Sequence, residues 1–249
     1  MFPLRDENPT LRASLVTYLI ILVNILVWVF IQGMGSEPSL INSVCKLGLI
    51  PGELLGKVSE GHRVPLGRNL VCILDGKADW YTLVSHMFAH GGWFHIIGNL
   101  WFLAIFGDNV EDSMGRIKFL FFYLLCGLAA AATQIWTNPS STIPMVGASG
   151  AIGGVMGAYA VLYPRSPVHM LVIFGIFIDR VIVPAYFMLA YWFLIQLLSA
   201  IPTLGGAEGG VAFWAHVGGF LAGVILIPFF KDKKRVEAHR KVVFRRWGR

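Results

Sequence analysis

The stretch Met145-Val146-Gly147-Ala148-Ser149-Gly150-Ala151-Ile152-Gly153-Gly154-Val155-Met156-Gly157-Ala158-Tyr159 decides the fold. It is an apolar run of helical length that opens on glycines and carries one serine. Each glycine weakens a helix by roughly 1 kcal/mol relative to alanine, so the run needs another reason for them. That reason is close approach: Gly153 and Gly157 have the small-xxx-small spacing that lets a second helix pack backbone to backbone. A matching face stands at Ala215-His216-Val217-Gly218-Gly219-Phe220-Leu221-Ala222-Gly223. A serine and a histidine, each on a glycine-faced apolar helix, suggest a nucleophile and its base brought together inside a membrane.

Composition agrees. The 249 residues are 56% hydrophobic and 14% charged, against about 25% charged in a soluble domain. The chain therefore reads as an integral membrane protein embedded in a lipid bilayer. The formal charge of +6 is concentrated at the end: residues 231–249 hold nine Lys/Arg against two Asp/Glu. That is a cytoplasmic tail under the positive-inside rule, not a nucleic-acid groove. The three cysteines, Cys45, Cys72 and Cys126, form no metal or redox motif. Cys126 sits in an apolar run. Cys45 and Cys72 share one long polar loop and can pair if that loop faces an oxidising compartment.

Residues 1–13 are polar and resemble no secretory signal. Six stretches, 15–32, 91–106, 117–134, 145–163, 181–200 and 211–230, approach the ~20 residues a bilayer requires. Residues 33–90 form a long first loop, expected to be ordered against the membrane surface. Residues 107–116 read as a tight polar connection. The apolar piece 168–178 is too short to span and reads as a cytoplasmic or interfacial segment. Pro184 falls in the first turn of span five, where proline is tolerated. Residues 202–210 are a glycine-rich loop and 231–249 the basic tail. Six spans and an inner tail put both termini in the cytoplasm and the long loop outside. The expected fold class is all-α, a polytopic membrane protein with one membrane domain.

That topology, set without reference to the odd polar residues, places four of them at one depth. His95 and Asn99 begin span two, Ser149 begins span four, and His216 begins span six, all in the outer part of the bilayer. Ser149 would attack and His216 take its proton. His95 and Asn99, at i and i+4, share a helix face and offer donors for a developing oxyanion, as does the Ser149 backbone N–H at a helix start. No Asp or Glu lies at this depth in spans two, four or six, so a Ser–His dyad is expected. Singly, the residues have plainer readings. Ser149 can be a packing serine, His216 a hydrogen-bonded structural histidine, Asn99 a helix-bridging amide, and His90 a brace at the loop junction. Zinc chemistry would use His86, His90 and His95, but Met87-Phe88-Ala89 supplies no acid between them, and no metal or cofactor is expected. A transporter would want charges in midspan, and spans two, four and six have none.

The ordered pieces carry a resemblance. They are His90 followed by His95-x-x-x-Asn99; Glu111-x-x-x-Gly115; Gly147-x-Ser149-Gly150 with Gly154 and Gly157-Ala158-Tyr159; and Ala215-His216-x-Gly218-Gly219-x-x-x-Gly223. Together they resemble the rhomboid intramembrane serine proteases from residue 15 to residue 230. The resemblance implies a six-transmembrane-helix bundle with a short central fourth helix and a long first extracytoplasmic loop. It implies Ser149 as nucleophile, His216 as base, and His95, Asn99 and the Ser149 N–H around the oxyanion, with His90, Gly147, Gly150, Gly218 and Gly219 shaping the site. It implies transmembrane protein substrates, cut near the outer face after entering beside the aromatic span five. The compact chain suggests a prokaryotic plasma membrane. Two positions depart from well-known members: Trp80-Tyr81 stands where some carry Trp-Arg, and Gly153 where some carry a tyrosine that stacks on the base. The alternative is a non-catalytic rhomboid-like scaffold or chaperone, which would be expected to lose the serine or the histidine.

Overall fold

A computed structural model describes residues 2–66, 71–175, 177–204 and 210–247. The chain opens with strand β1 (Phe2–Asp6) and helix α1 (Leu15–Leu26), which ends in a π-helical turn, Val27–Ile31. The long loop follows with α2 (Glu37–Leu47), α3 (Pro51–Leu54), the strand pair β2 (Arg63–Pro65) and β3 (Val71–Ile73), and α4 (Thr82–Ser85). Then come α5 (Trp93–Met114), α6 (Arg116–Thr137), α7 (Ser149–Leu162), the hairpin β4 (Pro167–Phe174) and β5 (Phe177–Pro184), α8 (Ala185–Ala200), α9 (Phe213–Phe230) and α10 (Lys233–Trp247). Three of these helical stretches, Arg116–Thr137, Ala185–Thr203 and Phe213–Phe230, are long and apolar enough to cross a membrane, and Leu15–Ile31 and Ser149–Leu162 are shorter apolar helices.

Helix α7 is the axis of the bundle. Every residue from Gly150 to Tyr159 is buried. With 14 residues it is about 21 Å long, shorter than the expected 145–163 span. Glycine makes this burial possible. A Cβ on Gly219 would overlap the carbonyl oxygen of Gly150, one on Gly223 that of Gly154, and one on Gly157 that of Phe220. So α7 and α9 touch main chain to main chain, and the seam uses Gly150 and Gly154 beyond the Gly153/Gly157 pair. The space around them is filled by Phe106, Phe119, Phe122, Tyr123, Met156 and Tyr159, all essentially inaccessible.

The expectation of an all-α chain needs correction: the protein is mostly helical, but β1, β4 and β5 form a three-stranded antiparallel sheet. The short apolar piece 168–178 and the first residues assigned to span five are the two arms of one hairpin, paired from Pro167↔Pro184 to Phe174↔Phe177. The run is rich in Val and Ile, whose branched side chains suit a pleated strand. Pro184 caps α8 with extended backbone (φ −67°, ψ 146°) instead of occupying its first turn.

Helix α5 also runs past the expected end at residue 106, through the polar stretch to Met114. Those polar groups are employed. Glu111 accepts the backbone N–H groups of Val16 and Thr17 and the Thr17 hydroxyl, capping the start of α1. Asp112 pairs with Arg12 at 3.0 Å and accepts the Leu11 N–H. The reversal into α6 is one residue, Gly115, at φ +87°, a left-handed conformation that favours glycine.

The first loop is folded, and a disulfide joins Cys45 of α2 to Cys72 of β3, with Cα atoms 5.7 Å apart. The basic tail is helical over Lys233–Trp247, with the His239 ring tilted against that of Tyr163 at 4.6 Å. Residues 205–209 of the expected glycine-rich loop lie outside the described residues.

Candidate active site

Ser149 is the first residue of α7 and His216 lies in the first turn of α9. The glycine seam between these helices sets their separation, and it places His216 Nε2 2.7 Å from Ser149 Oγ. The other ring nitrogen, Nδ1, lies 2.7 Å from Oε1 of Gln196 on α8. For Ser149 O–H to donate to Nε2, Nδ1 must carry the proton, and the Gln196 oxygen is placed to accept it.

His95 and Asn99 come from one face of α5. The N–H of Gly91 donates to His95 Nδ1 at 3.2 Å. This holds the neutral ring with its proton on Nε2, so Nε2–H is a free donor. It points at Gly147: a Cβ there would sit against His95 Nε2 and 3.5 Å from Asn99 Nδ2. Gly147 takes φ +122° and donates its N–H to His86 O at 2.8 Å. Asn99 is buried, and its Nδ2 has no partner among the described residues. A buried amide donor without an acceptor is costly unless something occupies its position during function.

These groups share a cavity of about 690 Å³ that His95, Asn99, Ser149, Gln196 and His216 all line. The extended strand leading to Ser149 forms one wall. Leu49 of the first loop holds it, exchanging both backbone bonds with Met145 at 2.9 and 2.8 Å. The long loop is thus part of the site's frame. His90 does not enter the cavity. Its backbone N–H and C=O are both gripped by the side chain of Gln32, each at 2.8 Å, and its ring packs edge-on against His95 at 5.2 Å. Among the described residues, His86, His90 and His95 do not converge as a metal ligand set.

Gly150 and Gly219 meet at the seam, while a Cβ on Gly218 would collide with the Thr133 side chain of α6. Gly153 lets α9 come close beside the base: a Cβ there would stand 3.1 Å from the His216 carbonyl oxygen and 3.4 Å from the Phe220 N. The ring of Trp192, from α8, comes within 3.7 Å of the position a Cβ would take there and lies 5.9 Å from the His216 ring. The His216 ring thus has Trp192 of α8 beside it and Phe213 of its own helix edge-on at 6.2 Å. Gln196 is not among the site residues expected from the sequence, and Trp192 is expected only in the aromatic span beside which a substrate enters. Gln196 had a signal, as an amide alone in a long apolar helix.

Similarity to known proteins identifies the family. A family model described as Rhomboid domain matches residues 77–233, more than half of the chain. The chloroplastic rhomboid-like protein 11 of Arabidopsis thaliana is 32% identical over 158 residues, 59% of this chain and 51% of the relative. Rhomboid protease AarA of Providencia stuartii is 25% identical over 180 residues, 67% of this chain and 61% of the relative. Rhomboid-like protease 5 of Toxoplasma gondii is 29% identical over 149 residues, 59% of this chain and 16% of the relative. The aligned part of the chain thus spans less than two thirds of each of these relatives. The chain is an integral membrane protein and belongs to the rhomboid family.

Proposed function

We propose that this protein is an intramembrane serine endopeptidase that cleaves transmembrane segments of other membrane proteins with a Ser149–His216 pair. The observation that carries the reading is the 2.7 Å contact of His216 Nε2 with Ser149 Oγ, on the wall of the 690 Å³ cavity, between helices joined by a glycine seam. A half-buried serine bonded to an imidazole, beside the orphaned Asn99 donor, is the arrangement that acyl transfer needs.

The reaction follows from the atoms present. His216 Nε2 takes the Ser149 hydroxyl proton as Oγ attacks the scissile carbonyl carbon. The carbonyl oxygen gains charge and is met by His95 Nε2–H, Asn99 Nδ2 and the Ser149 N–H, which at the first helical position has no intrahelical acceptor. His216 returns the proton to the leaving amine. Water entering the cavity then attacks the acyl-enzyme by the same route. The substrate helix must open locally, because a helix hides its carbonyls in its own hydrogen bonds. It docks beside α8, where Tyr186, Phe187 and Tyr191 are exposed. In this reading α1, α5, α6, α7, α8 and α9 are six membrane-crossing helices, both termini are cytoplasmic, and the first loop and the site lie at the outer face. No cofactor takes part in the scheme.

Co-reconstitution with a single-span substrate in liposomes tests it. Cleavage within the outer part of the span, lost in Ser149→Ala and His216→Ala, is the expected outcome. A substrate bound but uncut by the wild type would favour the scaffold alternative.

A further inference from the structure

We infer that Gln196 is the third member of the catalytic relay, a neutral amide in the position where soluble serine hydrolases place a carboxylate. The inference rests on the serine-protease reading above. Gln196 sits on α8 and reaches across to α9, its Oε1 2.7 Å from His216 Nδ1. On the far side of the same ring, Nε2 is 2.7 Å from Ser149 Oγ. The three side chains form one hydrogen-bonded row drawn from α7, α9 and α8.

The direction of the row is fixed by chemistry. A glutamine oxygen only accepts, so Nδ1 must donate to it. A neutral ring with its proton on Nδ1 has its lone pair on Nε2, the tautomer that can receive the serine proton. The opposite tautomer would put a proton on Nε2 and block the base. Gln196 therefore selects the reactive tautomer and holds the ring plane, as the second partner of a functional histidine does elsewhere. When His216 becomes imidazolium, Nδ1–H donates more strongly to the same oxygen, so the bond tightens as the barrier is crossed.

The choice of amide suits the location. Gln196 is buried in an apolar helix. A carboxylate there would carry a desolvation cost throughout the resting state, whereas an amide orients the ring without a buried charge. Trp192, one helical turn earlier on α8, lies beside the same imidazole. Helix α8 thus supplies both the face packing and the hydrogen bond that orient the base. Among the described residues, His86 and His95 are the other titratable groups lining this cavity.

Gln196 touches no substrate atom, so it is a positioning residue, and the experiment must separate orientation from folding. The reagent is a fluorophosphonate, with the inactivation rate constant and the half-saturating concentration measured separately on purified full-length protein. Gln196→Met keeps the shape and removes the acceptor, while Gln196→Glu keeps an acceptor. The inference predicts that Q196M inactivates about tenfold to a hundredfold more slowly with unchanged half-saturation, well short of the ~10⁴ that wrong-tautomer substitutions cost in a carboxylate triad. Q196E should recover at least half of that loss. Nitrogen-15 spectra of histidine-labelled protein should show His216, identified by its absence in His216→Ala, protonated on Nδ1 in the wild type and losing that preference in Q196M. Wild-type kinetics in folded Q196M would overturn the inference. If Q196M does not fold, Q196E decides: a reactive Q196E supports the relay, and a folded but inert Q196E overturns it. Failure of the wild type itself to react would instead strike the protease reading.

Discussion

Adding one methyl group to Gly219 tests whether the glycine seam is what holds serine and histidine in reach. In Gly219→Ala the new Cβ would overlap the Gly150 carbonyl oxygen, and both atoms are held by main chain, so no rotamer change relieves the clash. The helices α7 and α9 must separate by on the order of 1 Å, since a close-packed interior has no slack to absorb it. Overpacking of this kind costs about 1–3 kcal/mol, offset by roughly 1 kcal/mol gained when alanine replaces glycine in a helix. A net loss of about 0–2 kcal/mol lowers Tm by up to about 8 °C, at the ~2–4 °C per kcal/mol of a chain this size. The chemical effect is larger. Ser149 and His216 stand on opposite sides of the seam, and a 1 Å displacement costs about 10² in rate. Thermal unfolding in detergent and fluorophosphonate kinetics measure the two effects. Gly98→Ala is the stability control, because no atom lies within 4 Å of where its Cβ would stand, and its Tm should hold or rise. A G219A protein with wild-type Tm and wild-type serine reactivity would refute the reasoning.

Asn99→Ala removes an orphaned buried donor and should slow cleavage by about 10²–10³ without abolishing it; an unchanged rate would take Asn99 out of the oxyanion site. Intact-mass analysis after thiol blocking of the denatured, unreduced protein should find one reactive cysteine per chain, Cys126, with two more appearing on reduction. Breaking the 27-residue disulfide separation should cost about 3.5 kcal/mol in the chain-entropy picture, read as a drop in Tm with reductant. Burial pushes the Asp6 carboxyl up from 3.8 to about 6, against the pull of its hydrogen bond from Tyr159. Between pH 4 and 6 the folded state then binds more protons than the unfolded state, so this group's contribution to stability falls as pH rises through that window. Because Asp6 remains partly exposed, the penalty at pH 8 is about 1–2 kcal/mol. Asp6→Asn should raise Tm at pH 8 and flatten the Tm profile between pH 4 and 7. A profile with the wild-type slope would count against the assignment.

Much of the bundle could be read from local signals, and the departures have physical causes. Glycine spacing in 145–159 and 215–223 announces the α7–α9 seam because nothing else explains so many helix-weakening residues in apolar helices. His95, Asn99, Ser149 and His216 each stand within the first two turns of a helix, which follows from where each apolar run begins. The hairpin at 167–184 is not legible in the sequence because its apolar arms have the composition of a membrane or interfacial segment, while the partner strand β1 lies more than 160 residues away. The extension of α5 was hidden because Asn109, Glu111 and Asp112 look like loop residues. They are buried because the N-terminal segment returns to satisfy them. The pairing of Cys45 with Cys72 depends on the fold of the whole first loop. Gln196 and Trp192 belong to a third helix whose rotation about its axis no local pattern fixes, so their convergence on His216 is legible only in three dimensions.

The central claim is that Ser149 is a nucleophile activated by His216. The most direct measurement is fluorophosphonate labelling of the full-length protein in detergent, with the adduct mapped by peptide mass spectrometry. The account predicts one adduct, on Ser149, in the wild type and none in Ser149→Ala or His216→Ala. An adduct on another residue, or equal labelling of His216→Ala, would contradict it.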